Sequence, residues 1–152
     1  MTYDIKVLEL PDQPTLVMRT IVAVEKLPDF FGKAYGGIMK YLGKLGEAPA
    51  GMPFGAYFNM DMSALEVAAG FPVSKPIEGK GDILAETIPG GKFLSTVHEG
   101  PYDSVEPAYN AMSEYAKANG LEPTGVAYEY YLNDPSESPD VIPLTEIRYP
   151  LK

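Results

Sequence analysis

A pattern of residues in the first half of the sequence recurs 74 residues later in the second half. It contains an acidic residue, an Ala-Tyr pair, two further apolar or aromatic positions at helical spacing, and then a glycine. The matched pairs are Asp29 and Asp103, Ala34-Tyr35 and Ala108-Tyr109, Ile38 and Met112, Tyr41 and Tyr115, Gly46 and Gly120, and Tyr57 and Tyr131. We therefore interpret the chain as an internal duplication, with repeats over roughly 1–76 and 80–152.

The second copy of the pattern predicts a helix that follows Gly100-Pro101-Tyr102-Asp103 and runs to Gly120. Asp103 is a suitable N-cap, and Glu106 three residues later can complete a capping box. Pro107 falls in the first turn, where a missing N–H costs least. Gly120 favours the left-handed conformation that ends many helices. The apolar stripe of this helix is predicted to consist of Val105, Ala108, Tyr109, Met112, Tyr115 and Ala116.

The first copy predicts a helix from Asp29 that is unusually rich in glycine. Four glycines fall inside it, and each costs about 1 kcal/mol relative to alanine. They are Gly32, Gly36, Gly37 and Gly43. Packing must therefore hold this helix in place. The glycines either let the helix approach a sheet closely or let it yield when something binds.

Eight stretches favour β-strands because they alternate or are rich in β-branched and aromatic residues, and because turn residues separate them. They are residues 3–10, 15–24, 53–59, 64–73, 83–88, 92–98, 126–132 and 143–149. Each repeat thus has the order strand, strand, helix, strand, strand, and its short connections predict antiparallel hairpins. We predict one α+β domain over 1–152. It consists of two pseudo-symmetric β-β-α-β-β modules that share an antiparallel sheet, with both helices packed on one face.

Composition excludes several classes of function. The 152 residues include no cysteine, which removes disulfides, thiolate metal sites and cysteine nucleophiles, and favours a cytoplasmic protein. A net charge of −9 argues against nucleic acid and favours cationic partners. His98 is the only histidine, and a lone histidine at a strand end is usually structural. No apolar run approaches membrane-spanning length. We expect no metal and no cofactor.

Three segments of the sequence resemble the GyrI-like small-molecule-binding domain. They are 98–102 (HEGPY), 128–135 (YEYYLNDP) and 145–151 (TEIRYPL), and the resemblance covers essentially the whole chain. It implies a cleft that takes up lipophilic, often cationic compounds, in stand-alone proteins and in the effector domains of multidrug-sensing regulators. An acidic residue matching Glu146 is expected to meet the ligand's charge. The family also includes hydrolases of cyclopropane-containing toxins and an antagonist of DNA gyrase.

Strand alternation supplies further candidates for the ligand site. If Thr145 and Ile147 pack under a helix, Glu146 lies on the opposite face of its strand. Through the repeat, Tyr57 matches Tyr131 and Glu66 matches Glu146. With the same parity in the neighbouring strand, five residues are predicted to share that surface: Tyr57, Glu66, Glu129, Tyr131 and Glu146. Carboxylates among aromatic rings suit an organic cation. The alternative is an ordinary solvated strand face.

We therefore predict a stand-alone protein of the cytoplasm that binds amphipathic, preferably cationic, organic compounds, as in multidrug binding or sequestration. One alternative is a hydrolase of reactive electrophiles with Glu146 as general base, although the chain lacks the tryptophan that relatives use. A second alternative is an inhibitor whose acidic surface binds a basic enzyme. Nucleic acid and membrane are not expected as partners. A protein partner and the oligomeric state are left open.

Overall fold

The computed structural model describes residues 3–101, 104–133 and 142–152. These residues form eight strands and two α-helices, in the predicted order, together with a short 3-10 helix at Val24–Lys26. The elements are β1 (Lys6–Leu10), β2 (Gln13–Val22), α1 (Leu27–Lys44), β3 (Phe54–Tyr57), β4 (Leu65–Pro72), β5 (Leu84–Ile88), β6 (Gly91–Glu99), α2 (Glu106–Ala118), β7 (Ala127–Tyr131) and β8 (Leu144–Pro150). The predicted α+β class is confirmed.

Helix α2 begins later than predicted. Its first helical residue is Glu106 and its N-cap position is occupied by Val105, which makes no side-chain capping bond. The proposed cap, Asp103, lies outside the described residues. The predicted end is confirmed, because Gly120 takes a φ of 68° just beyond the helix.

The first compact unit contains β1, β6, α2, β7 and β8, and we call it the α2 unit (Met1–Leu10 and Gly91–Lys152). Its four strands pair antiparallel in the order β1-β6-β8-β7. One face of this sheet packs against α2, where Leu94 and Ile147 contact the helix. The buried residues of α2 are Ala108, Met112 and Ala116, as the stripe predicted.

The second compact unit, which we call the α1 unit, covers Pro11–Gly90. Its strands pair antiparallel in the order β3-β4-β2-β5. Helix α1 buries Ala34, Ile38 and Leu42, which are the positions predicted from the repeat. These side chains pack in a core with Leu16, Met18, Ala69, Phe71 and Val73.

The predicted hairpins β1–β2 and β5–β6 do not form. Strand β1 pairs with β6, and β5 pairs with β2. The reason lies in the two-residue connections, which both begin with proline, Pro11 and Pro89. Two-residue hairpin turns need a positive φ at their first position, and proline fixes φ near −65°. Each connection therefore sends the chain away from the strand that it has just left.

No helix among the described residues is long and apolar enough to cross a membrane.

Candidate functional site

The register between β7 and β8 decides which predicted residues share a face. Glu129 pairs with Ile147, Tyr131 pairs with Thr145, and Tyr130 pairs with Glu146. Directly paired residues point to the same side of a sheet. Because Ile147 packs in the core with α2, Glu129 and Tyr131 lie on the helix side. Glu146 lies on the opposite side, so the prediction of one surface for all three is wrong.

On the helix side, Glu129 is surrounded by tyrosines. The hydroxyl of Tyr109, from α2, donates a hydrogen bond to Oε2 of Glu129. The hydroxyl of Tyr131 donates to Oε1, with an O–O distance of 3.1 Å. The ring of Tyr149 lies 5.8 Å from that of Tyr109, measured between centroids. We call Glu129, Tyr109, Tyr131 and Tyr149 the Glu129 cluster.

Burial controls the electrostatics of this cluster. Loss of water raises the pKa of Glu129, and the bonds from Tyr109 and Tyr131 and the positive field of His98 oppose that rise only in part. Burial also raises the pKa of Tyr149 to about 12, against a hydrogen bond with Ser113. The hydroxyl of Tyr149 therefore stays protonated at neutral pH. None of the ion pairs among the described residues involves Glu129.

The opposite face of the same unit carries a second polar group, which we call the Glu146 cluster: Glu146, Arg148, Ser95 and Tyr130. The Nε atom of Arg148 is 2.6 Å from Oε2 of Glu146, and Ser95 donates to the same oxygen at 3.1 Å. The guanidinium carbon of Arg148 lies 4.3 Å from the ring centroid of Tyr130. Glu146 therefore has a positive partner within its own strand.

The two predicted residues of the α1 unit also lie on opposite faces. Tyr57 pairs with Val67, which has the same parity along β4 as the core residue Ala69. Glu66 precedes Val67 along β4 and has the opposite parity, so its side chain points away from α1. Arg19 lies 4.0 Å from Glu66 in an exposed ion pair.

The repeat was expected to make Glu66 the counterpart of Glu146, and the registers correct this. Tyr57 pairs with Val67 and Tyr131 pairs with Thr145. If the two tyrosines are equivalent, the next residue along each partner strand is also equivalent. Ala68, not Glu66, then occupies the place of Glu146.

His98 has a partner on each ring nitrogen. The hydroxyl of Tyr3 is 3.1 Å from Nδ1, and Oγ of Ser104 is 3.3 Å from Nε2. Only 2% of His98 is exposed. These contacts fit the structural role expected of a lone histidine. Among the described residues there is no group of three histidine, aspartate or glutamate side chains that could hold a metal ion.

Sequence reasoning did not place Tyr109, Tyr149 or Arg148 in a site. The helical stripe marked Tyr109 as a core residue, and its hydroxyl was the one sign of another role, because a buried tyrosine hydroxyl needs a partner. That partner is Glu129. Strand alternation puts Arg148 on the same face of its strand as Glu146, and this was the signal in the sequence for their pairing.

The profile of the GyrI-like small molecule binding domain matches residues 3–152. The chain belongs to the GyrI-like family. It is thus a small-molecule-binding domain by family, as the resemblance implied. No curated protein sequence matches it.

Solved structures share this GyrI-like fold at low sequence identity. The EcmrR C-terminal domain is 19% identical with a TM-score of 0.81, over 100% of this chain and 99% of that one. The chain spans 57% of the EcmrR chain in its DNA complex, at 22% identity, a TM-score of 0.84 and 99% coverage of this chain.

Two further solved structures with this fold are those of a hydrolase and of a complex with an organic cation. A hydrolase encoded by lin2189 from Listeria innocua is 16% identical with a TM-score of 0.72, over 98% of this chain and 92% of that one. SAV2435 bound to tetraphenylphosphonium is 12% identical with a TM-score of 0.65, over 100% and 94%. At these identities the similarities show the fold alone.

Proposed function

We propose that this GyrI-like chain binds small organic cations and that Glu129 recognises their charge. One observation carries the proposal: Glu129 is a partly buried carboxylate whose hydrogen-bond donors are neutral tyrosine hydroxyls. Neutral donors stabilise a carboxylate but leave its negative charge in place. A cationic ligand supplies an opposite charge in direct contact with the carboxylate, in surroundings where low polarity strengthens the attraction.

The chemistry of the Glu129 cluster suits such a ligand in two further ways. A carboxylate offers about four acceptor positions, and the two tyrosines use two of them, so a ligand need not displace either hydroxyl. The rings of Tyr109, Tyr131 and Tyr149 provide apolar area and electron-rich faces, which attract organic cations. Tetraphenylphosphonium, bound by SAV2435 on the same fold, is a ligand of this chemical kind.

Glu146 is the weaker candidate for charge recognition. Its carboxylate already pairs with Arg148, and a cationic ligand there would meet the like charge of the guanidinium. Separating the pair would also leave Arg148 without its partner, which opposes binding. We therefore assign charge recognition to Glu129 rather than to the residue that the sequence favoured.

The test compares a cation with its neutral isostere, for example benzyltrimethylammonium with neopentylbenzene, on wild type and Glu129→Gln. We expect the substitution to weaken binding of the cation by about tenfold or more, the scale of one hydrogen bond to a charged group. Binding of the neutral compound should change by less than about twofold.

Glu146→Gln is the matched control, since it removes the same charge from the opposite face of the sheet. Its effect on the cation should be small. Equal losses in Glu129→Gln for both compounds would show that Glu129 shapes the site without recognising charge. A loss confined to Glu146→Gln would move the site to the other face.

A second candidate function is hydrolysis of a reactive electrophile. The observation that favours it is the raised pKa of Glu129, because a general base for neutral pH needs a carboxylate that holds its proton more tightly than usual. The fold of the lin2189 hydrolase is compatible with it. Multiple turnover on a cyclopropane-containing electrophile, abolished in Glu129→Gln, would establish this function in place of simple binding.

The wider proposal is a stand-alone, multidrug-type binding or sequestering protein of the cytoplasm that arose by internal duplication. The same strand order around one helix in each compact unit supports the duplication. The range of ligands is open to a direct measurement. A screen of chemically diverse lipophilic cations should find several that bind in competition with one another, whereas binding of a single compound would contradict the multidrug type.

A further inference from the structure

Thr145 has a buried hydroxyl group with no hydrogen-bond partner among the residues that the structure describes. Only 1% of the residue is exposed. A buried hydroxyl without a partner loses its hydrogen bonds to water and gains none in return, so such groups are uncommon and call for an explanation. The neighbours of Thr145 on the sheet suggest a role for this hydroxyl.

Thr145 lies on the helix side of β8, in the row of residues next to Glu129. It pairs with Tyr131 on β7 and with His98 on β6. Side chains in such cross-strand pairs have Cβ atoms about 5 Å apart, and diagonal neighbours such as Thr145 and Glu129 are about 7–8 Å apart. A small molecule in contact with Glu129 can therefore also reach Thr145.

The flanking residues do not satisfy the hydroxyl of Thr145. The ring nitrogens of His98 contact Tyr3 and Ser104. The hydroxyl of Tyr131 donates to Glu129. Among the described residues, Thr145 thus offers a buried hydroxyl without a partner beside the Glu129 cluster, and a hydroxyl can accept a hydrogen bond as well as donate one.

We propose that Thr145 is a ligand contact that selects protonated amines, which carry an N–H donor, over quaternary cations, which carry none. The proposal rests on the assignment of Glu129 as the charge-recognising residue. The N–H groups of a protonated amine can be shared between Glu129 and Thr145, which satisfies both. A quaternary ammonium ion offers its charge to Glu129 but leaves the hydroxyl of Thr145 unsatisfied.

The test uses benzylmethylammonium, the protonated form of a secondary amine, and benzyltrimethylammonium, which carries two methyl groups in place of the two N–H hydrogens. The variants are Thr145→Val, which replaces the hydroxyl by a methyl group, and Thr145→Ser, which keeps it. We expect Thr145→Val to weaken binding of benzylmethylammonium about tenfold and to change that of benzyltrimethylammonium by less than twofold. Thr145→Ser should preserve the preference for the amine.

The same variant gives a second measurement that needs no ligand. If the hydroxyl of Thr145 has no partner in the free protein, Thr145→Val removes a buried unsatisfied group and should raise the Tm. A lower Tm would show that the hydroxyl is already bonded in the free protein, and would overturn the proposal.

These measurements distinguish failure of the proposed role of Thr145 from failure of the assignment of Glu129. Equal effects of Thr145→Val on both cations, or none on either, with a clear loss in Glu129→Gln, would overturn only the role of Thr145. Failure of wild type to bind either cation, or unchanged binding of both by Glu129→Gln, would overturn the assignment of Glu129 and the role of Thr145 together.

Discussion

Glu146 and Arg148 lie two residues apart on the same face of β8, joined by an ion pair with an N–O distance of 2.6 Å. Their side chains are 18% and 24% exposed, so the pair is largely shielded from water. Ser95 and the ring of Tyr130 hold the two groups from either side. Because the two charges neutralise each other and contact neutral side chains, we interpret this ion pair as a structural feature of the sheet. The sheet separates the pair from the Glu129 cluster on its other face.

We predict that Glu146→Gln destabilises the fold by about 1 kcal/mol, because it leaves the partly buried Arg148 without its counter-charge. Urea unfolding of Glu146→Gln, Arg148→Met and the double variant measures this. The double-mutant cycle should give a favourable coupling energy, since either single change removes the same interaction. Additive effects would show that the pair contributes nothing beyond the two separate side chains.

A second prediction concerns the pH dependence of stability. The pKa of Glu129 is raised in the folded protein, so the folded state holds this proton more tightly than the unfolded chain does. The resulting stability is fully present below the unfolded pKa, near the ordinary value of 4.5, and is lost as pH rises through the folded pKa. Glu129→Gln carries no such proton.

The measurement is the free energy of unfolding against pH for wild type and Glu129→Gln. Other groups titrate in both proteins, so the informative quantity is the difference between the two curves. Wild type should lose stability relative to the variant as pH rises above 4.5. Parallel curves would show that the carboxyl of Glu129 is as well solvated in the folded protein as in the unfolded chain.

The sequence predicted the elements well because periodicity is a local property. To predict the apolar stripe of α2 and the strand around Ile147, only the spacing of apolar residues within one segment was required. The face of Glu129 depended instead on the register between two strands. A shift of one residue moves every side chain to the other face, and no local pattern fixes the register across the long segment that joins β7 to β8.

The hairpin error has a different origin. The connections at Pro11 and Pro89 were short enough to predict hairpins, yet their first residue excludes the required turn. That information was present in the sequence. The proline φ restriction should have outweighed the length of the connection.

The glycines of α1 lead to a third prediction. A Cβ added at Gly36 would meet no atom within 4 Å. Close packing therefore does not require this glycine, and Gly36→Ala should stabilise the protein by about 1 kcal/mol through helix propensity alone. Thermal unfolding would show a higher Tm for the variant.

Gly70, on β4, is the matched control, since a Cβ there would lie 1.9 Å from the carbonyl oxygen of Leu16. Gly70→Ala should be strongly destabilising because backbone atoms would have to move. A destabilised Gly36→Ala would show that the helix needs glycine at that position for a reason other than packing.

The fourth prediction tests the two helix stripes. Ile38 and Met112 are both 0% exposed and lie at matched positions of α1 and α2. Ile38→Asp and Met112→Asp each place a carboxylate in an apolar core, which should cost more than about 4 kcal/mol and prevent stable folding. Circular dichroism and thermal unfolding measure this. Leucine at either position is a volume-conserving control and should leave the fold intact. If an aspartate variant melted like the wild type, the corresponding helix face would not be part of the core.

The last prediction links ligand binding to the proton on Glu129. Because the pKa of this carboxyl is raised, the group is partly protonated at pH values where an exposed glutamate is fully charged. A cation binds the charged form, so binding should release protons, and affinity should rise with pH until Glu129 is fully ionised. Calorimetric titrations of a quaternary cation, whose own charge does not change with pH, in buffers of different ionisation enthalpy give the number of protons released. The release should fall toward zero in Glu129→Gln. An undiminished release in that variant would assign the proton to a different group and contradict binding of the cation beside a partly protonated Glu129.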